Sequence, residues 1–215
     1  HDLYLLPLAS SVRPRPTHAG KHAAYRAFAA RLGLSLDASG GFVRALPEAS
    51  TIVVGLDSCA RPQPRFYRQN GGIGAAQLAW LRGVAQTPAW RTARHRVVAL
   101  HHHVVPLSHG VGRRAPTEIG MRLDDAVVVA KTLNEIGCTF VLHGHRHISE
   151  ERHPAGCNFR LLAAPSLTLG CKSGDGASFW RVELGERAHV TRVRVQEEAL
   201  VPSDAPDEEP ESSMA

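Results

Sequence analysis

The sequence lacks any apolar run approaching the ~18 residues needed to cross a bilayer, which excludes a helical membrane span. It shows no fixed-period repeat and no sustained heptad pattern, so solenoids and coiled coils are excluded too. Aromatic residues make up only 6% of the chain. The chain shows no extended interleaving of aromatic and basic residues of the kind base-stacking platforms require, which argues against nucleic acid as the partner. The four cysteines (Cys59, Cys138, Cys157 and Cys171) are far apart with no Cys-x-x-Cys pair. That spacing argues against a thiolate zinc site and against a compact disulfide framework. Zinc-protease and metallo-β-lactamase readings fail for want of His-Glu-x-x-His and His-x-His-x-Asp-His. Gly71-Gly72-Ile73-Gly74 is not a phosphate loop, because no Lys-Ser/Thr follows and no strand precedes it.

What is present is a chain of 215 residues, 43% hydrophobic, long enough to bury a core without staples. Its charge is unevenly placed. From Glu197 onward there are seven acidic residues and no Lys or Arg, whereas residues 1–196 carry 25 basic against 13 acidic residues, a net charge of +12. Such a body attracts anions, phosphate esters among them, although arginine-rich solubilisation accounts for the same balance. The segment 197–215 is acidic, rich in Pro and Ser and without aromatics, and is expected to be a disordered tail. The first residue is His and no signal-peptide pattern follows, so we expect a cytoplasmic chain whose start lies further upstream.

Hydrophobic periodicity predicts a helix over Lys21–Leu32, with Tyr25, Phe28, Ala29 and Leu32 on one inward face. Thr51–Leu56, Arg96–Leu100 and Cys138–Leu142 read as strands buried on both faces. Residues 74–86 read as a helix with Leu78, Leu81 and Trp80 inward. Arg122–Ile136 reads as a helix with Leu123, Ala126, Val127, Ala130 and Leu133 inward and Gly137 as its stop. Asn158–Ala164 reads as another strand, and Ser178–Leu184 with His189–Val195 as a hairpin. The order predicts a layered α/β domain.

Thirteen histidines are the anomaly, eight of them between His101 and His153. His101-His102-His103 and His143-Gly144-His145-Arg146-His147 each follow directly on a buried strand. In an open α/β sheet that edge is where ligands bind. Imidazoles from neighbouring strand ends can converge on one divalent ion, and a tight turn after Gly144 lets His145 and His147 serve two. His18, His22, His95, His109, His153 and His189 read as surface or satisfied core residues. Cys138 reads as a small core residue, Asp57-Ser58 as a turn former, and Ser166 as a loop residue near the site.

The runs Val-Val-Ala-Leu-His-His-His-Val-Val-Pro (97–106) and Val-Leu-His-Gly-His-Arg-His (141–147) resemble the last two motifs of the calcineurin-like metallophosphoesterases. The likeness is nearest to the branch that contains class III cyclic-nucleotide phosphodiesterases. Ile52–Ser58 and Gln77-Leu78-Ala79-Trp80-Leu81 resemble that family's connecting segment, and His1-Asp2 the end of its Gly-Asn-His-Asp motif. The resemblance spans residues 1–196 and implies a layered fold of two β-sheets flanked by helices. It further implies a phosphodiesterase or phosphatase in which two divalent ions (Mn, Fe or Zn) share a hydroxide that attacks a small phosphate ester. His101 and His145 would then hold one ion and His147 the other. His1, oriented by Asp2, would protonate the leaving oxygen, and His102 and His103 would face the substrate. The family's Asp-x-His, Gly-Asp and Asn ligands fall upstream of residue 1, so this chain is expected to be the C-terminal portion of the enzyme and inactive alone. Two alternatives stand beside it. One is a non-catalytic metal-binding or scaffolding domain. The other is a histidine-triad-like nucleotide hydrolase, suggested by His143-x-His145-x-His147.

Overall fold

A computed structural model describes residues 18–59, 70–105, 123–166 and 177–195. His1, Asp2, His109, Cys171 and the acidic segment 197–215 lie outside the described residues. The architecture is α/β, with a six-stranded mixed sheet, a two-stranded sheet and flanking helices. In chain order the large sheet contains β1 (Phe42–Leu46), β2 (Thr51–Gly55), β3 (His95–Ala99), β4 (Phe140–His143), β5 (Glu150–Arg152) and β6 (Arg160–Ala163). Their spatial order is β1-β2-β3-β4-β6-β5. The four central strands β2, β3, β4 and β6 are parallel, and β1 and β5 close the two edges antiparallel.

Alternation along each central strand assigns its side chains to two layers, as a pleated strand requires. Ile52, Val54, Val98, Val141 and Leu161 join the helix-side core. Val97, Phe140 and Leu162 face the other way, against the hairpin formed by β7 (Ser178–Leu184) and β8 (Ala188–Arg194). Trp180 fastens that hairpin by donating its Nε1–H to the Ala163 carbonyl, 2.8 Å away. The parallel strands are joined by helical crossovers: α2 (Gly74–Ala85) and α3 (Pro88–Thr92) between β2 and β3, and α4 (Ala126–Glu135) between β3 and β4. Leu78 and Leu81 of α2, Trp90 of α3, and Val129 and Leu133 of α4 are buried on the sheet. The first amides of α2 are capped from a distance: the Asp125 carboxylate accepts from the Ile73 and Gly74 N–H groups. Gly137, at a φ of +68°, ends α4 and turns the chain into β4.

Several expectations need correction. The helix α1 spans His18–Arg31, but of its predicted inward face only Ala29 is buried, while Phe28 is 58% and Leu32 51% exposed. Its composition explains this: the helix is largely alanine and offers too narrow an apolar stripe to compete for a place on the sheet. α4 begins at Ala126, four residues later than expected, because Leu123 is held in a β-bridge to Gly71. Rotation of the helix from that start puts Val127 in solvent (83% exposed) and buries Val129 in its place. Trp80 does turn inward as expected, half-buried against the core. The edge strands β1 and β5 and the short helix α3 had no sequence signal strong enough to predict them. Among the described residues, no helix is long and apolar enough to cross a membrane.

Candidate metal centre

Four parallel strands end on one edge of the sheet, and the chain leaves that edge through Asp57-Ser58-Cys59, His101-His102-His103, Gly144–His147 and Ala164–Ser166. Their register is tight. Gly55 pairs with Ala99 and Ala99 with Leu142, and the ladder runs on past the strands through Leu100 N–H to Leu142 O (3.0 Å) and Gly144 N–H to His101 O (3.2 Å). Histidines separated by more than forty residues are thereby set side by side.

His101 and His145 meet with Nε2 and Nδ1 2.8 Å apart. The rings of His101, His102 and His145 form a triangle with centroid separations of 5.0, 4.6 and 4.6 Å. His145 reaches this position because its backbone is left-handed (φ +69°), inside a three-residue turn closed by Arg146 N–H to Gly144 O at 2.8 Å. His147 is left-handed as well (φ +53°). Two such conformations at non-glycine residues within three positions are strained and persist only where the surroundings impose them. The tight turn expected after Gly144 is therefore present. Gly144 itself does not have a positive φ, however, and a side chain there would make only ordinary contact with Ala164 O at 3.8 Å. The constraint falls on the histidines.

His102 is fully buried and oriented by Ser58 and Gly71, neither of which the sequence tied to the histidines. Ser58 Oγ accepts from the backbone N–H groups of His101 and His102 (3.2 Å each) and lies 2.9 Å from His102 Nδ1. With both lone pairs turned to amides, the hydroxyl hydrogen is left for Nδ1, so the metal-free ring carries its own proton on Nε2. On the other side, Gly71 lies flat against the ring. A Cβ there would stand 2.3 Å from Nδ1.

Cys59 completes the arrangement. Among the described residues one group of three or more candidate ligands is close enough to hold a metal ion: Cys59, His101 and His102, whose donor atoms all lie within 4.8 Å of one another. This cluster is able to coordinate one divalent ion. The Cys59 backbone is fixed by its N–H donating to Asp57 Oδ1 at 2.8 Å, the turn-forming role expected of Asp57. The other carboxylate oxygen of Asp57 lies 3.5 Å from His22 Nδ1.

Electrostatics keep the rings ready to bind. Burial, reinforced by neighbouring histidines, pushes the His101 pKa down to about 3, and the same causes push His145 down further. Burial likewise lowers His143 to about 3. Neutral imidazole is the form that offers a lone pair to a metal.

His143 and His103 form a separate pair behind the triangle, with centroids 6.1 Å apart. His103 lines a cavity of about 620 Å³ shared with Val104, Val105, Leu123 and Asp124. His147 lines a shallower depression of about 360 Å³ with His143, His145, Pro165 and Ser166. The structure thus gathers His101, His102 and His145, sets His147 on the adjoining surface and turns His103 aside. His95 is a satisfied core residue, with Nε2 2.7 Å from the Gly185 carbonyl oxygen, and His153 and His189 are exposed, as expected. Cys59, Ser58 and Gly71 were missed. The available signal was positional: Ser58 and Cys59 leave the same sheet edge as the histidines. No model of a known protein family matches the sequence, and no curated protein is significantly similar to it.

Proposed function

We propose that residues 1–196 are the C-terminal part of a calcineurin-like metallophosphoesterase domain that hydrolyses a small phosphate ester at a binuclear metal centre. The observation that carries this reading is the 2.8 Å contact between His101 and His145, made from adjacent parallel strand ends. Two nitrogens bound to one ion at ~2.0–2.1 Å stand roughly 3 Å apart, so the pair already has nearly the spacing of two ligands on a shared ion. The converging rings, with His101 and His145 held neutral by burial, therefore fit such an ion.

On this reading His101 and His145 hold one ion, and His147, two residues further on, holds the second from the surface of the depression. His102, with its proton on Nε2, would present a hydrogen-bond donor to a phosphoryl oxygen, and His103 would meet the substrate from the neighbouring cavity it lines. His1, oriented by Asp2, delivers a proton to the leaving oxygen. When bound, the two ions acidify a water molecule and neutralise charge on the phosphoryl group. The net charge of +12 over residues 1–196 draws an anionic ester toward the site. A second reading, a metal-binding domain without catalysis, is favoured by the one group of three ligands found among the described residues, at Cys59, His101 and His102.

The test is hydrolysis of bis(p-nitrophenyl) phosphate with added Mn²⁺, with and without chelator, alongside metal content. It uses the 215-residue chain and a chain extended upstream. The extended chain is expected to bind about two ions and turn over, with activity lost in His101→Ala and His147→Ala and abolished by chelator. Chelator-resistant turnover points to histidine-triad chemistry. An extended chain that binds metal without turnover leaves the non-catalytic reading.

A further inference from the structure

We infer that the ion at this centre is bound through the Cys59 thiolate as well as through imidazole. The site therefore prefers a borderline ion of the zinc and cobalt class over manganese or magnesium. This deepens the metal centre proposed above and rests on an ion being bound at His101.

Three observations converge on Cys59. Its sulfur lies within 4.8 Å of donor atoms of both His101 and His102. Its side chain is buried, at 4% exposure, beside those two rings. Finally, the backbone on which Cys59 sits is pinned by Asp57, and the preceding residue, Ser58, orients His102. One three-residue turn therefore supplies a ligand, positions a second and fixes its own geometry.

The binding step is balanced without a further reactant. As the sulfur–metal bond forms, the thiol proton leaves to solvent. If His102 joins through Nε2, its ring proton moves to Nδ1, and the Ser58 hydroxyl accepts it by releasing one of the two backbone amides it holds. Thiolate is a soft ligand that favours zinc and its neighbours, whereas sites built from oxygen ligands suit manganese and magnesium.

The experiment is a Co²⁺ titration of the reduced 215-residue chain followed by absorption spectroscopy, with circular dichroism on every variant to establish that it folds. The wild-type chain is expected to show a thiolate-to-cobalt charge-transfer band in the near ultraviolet, retained in Cys157→Ser and lost in Cys59→Ser. Cobalt affinity should fall roughly tenfold or more in Cys59→Ser, as when a metal site loses one of its supports. Zinc-edge X-ray absorption on the wild type, which needs no variant, should show a sulfur neighbour at ~2.3 Å. Cobalt bound with ligand-field bands alone, a charge-transfer band that survives Cys59→Ser, or no cobalt binding would each overturn the inference. The spectrum is independent of turnover. A thiolate band in an extended chain that fails to hydrolyse the diester sinks the phosphoesterase reading and leaves this one standing. Hydrolysis without the band does the reverse.

Discussion

Replacing Gly71 by alanine tests whether the packing around His102 is as tight as the geometry says. A Cβ at Gly71 would lie 2.3 Å from Nδ1, 2.5 Å from Cγ and 2.7 Å from Cε1 of the His102 ring. Ordinary carbon contacts begin near 3.5 Å, so the ring must retreat by roughly 1 Å. His102 is fully buried, so the ring has no solvent-filled space to retreat into. Overpacking of this kind costs about 1–3 kcal/mol. The retreat also stretches the 2.9 Å contact with Ser58, and a buried partner left unsatisfied adds about 1–3 kcal/mol. We expect a loss of about 2–6 kcal/mol in urea denaturation, a large share of the total for a domain of this size. Gly83→Ala is the matched control. It lies inside α2 with nothing within 4 Å of the added methyl, so the same chemical change should stabilise the protein by about 0.5–1 kcal/mol. If the two variants shift the midpoint in the same direction, or Gly71→Ala is neutral, His102 is not held as described.

Two further outcomes follow from the same reasoning. At His145 the left-handed backbone is strained for any residue with a Cβ, so His145→Gly should be more stable than His145→Ala by about 1–2 kcal/mol by thermal denaturation. Equal stability would mean that the turn relaxes once the ring is gone. Burial pushes the Cys138 thiol up to about 12 from 9.0. The unfolded chain therefore gives up this proton first as pH rises, and stability present below pH 9 is lost toward pH 12 with a slope of up to about 1.4 kcal/mol per pH unit. Cys138→Ala should remove that part of the alkaline slope in denaturation curves measured across this range, and an unchanged slope would refute the assignment.

Much of the fold was legible because buried parallel strands write themselves as continuous apolar runs. Thr51–Gly55, His95–Ala99 and Phe140–His143 lie within a residue or two of where the pattern put them. The edge strand Phe42–Leu46 was not legible, because its exposed face carries mixed residues and only its neighbour β2 makes it a strand. Of the inward face of α4, only Val127 was misjudged, for a related reason. A helix containing Ala126, Val127, Val128, Val129 and Ala130 is apolar most of the way round, so periodicity cannot choose which valine is buried. The start of the helix decides, and the bridge from Leu123 to Gly71 sets that start. At the site, His101, His102 and His145 were recoverable because strand ends advertise ligands. Ser58 and Gly71 were not, since their role exists only through His102, more than thirty residues away in sequence.

The register of three strands accounts for the assembly of the ring triangle. Counting two residues past the paired positions Gly55, Ala99 and Leu142 gives Asp57, His101 and Gly144, the row in which the backbone ladder closes. Counting three gives Ser58, His102 and His145, the row that holds the Ser58–His102 contact and two corners of the ring triangle. The left-handed turn at His145 then folds that ring back across to His101 in the first row. A slip of one residue between β3 and β4 would send His145 to the opposite face and dismantle the triangle. No single strand carries the site, so the donors come together only when β2, β3 and β4 are paired. Formation of the central sheet and formation of the centre are in that sense one event. An ion that binds the folded donor set and not the open chain must therefore stabilise the sheet itself, by an amount that grows with the logarithm of its concentration above Kd.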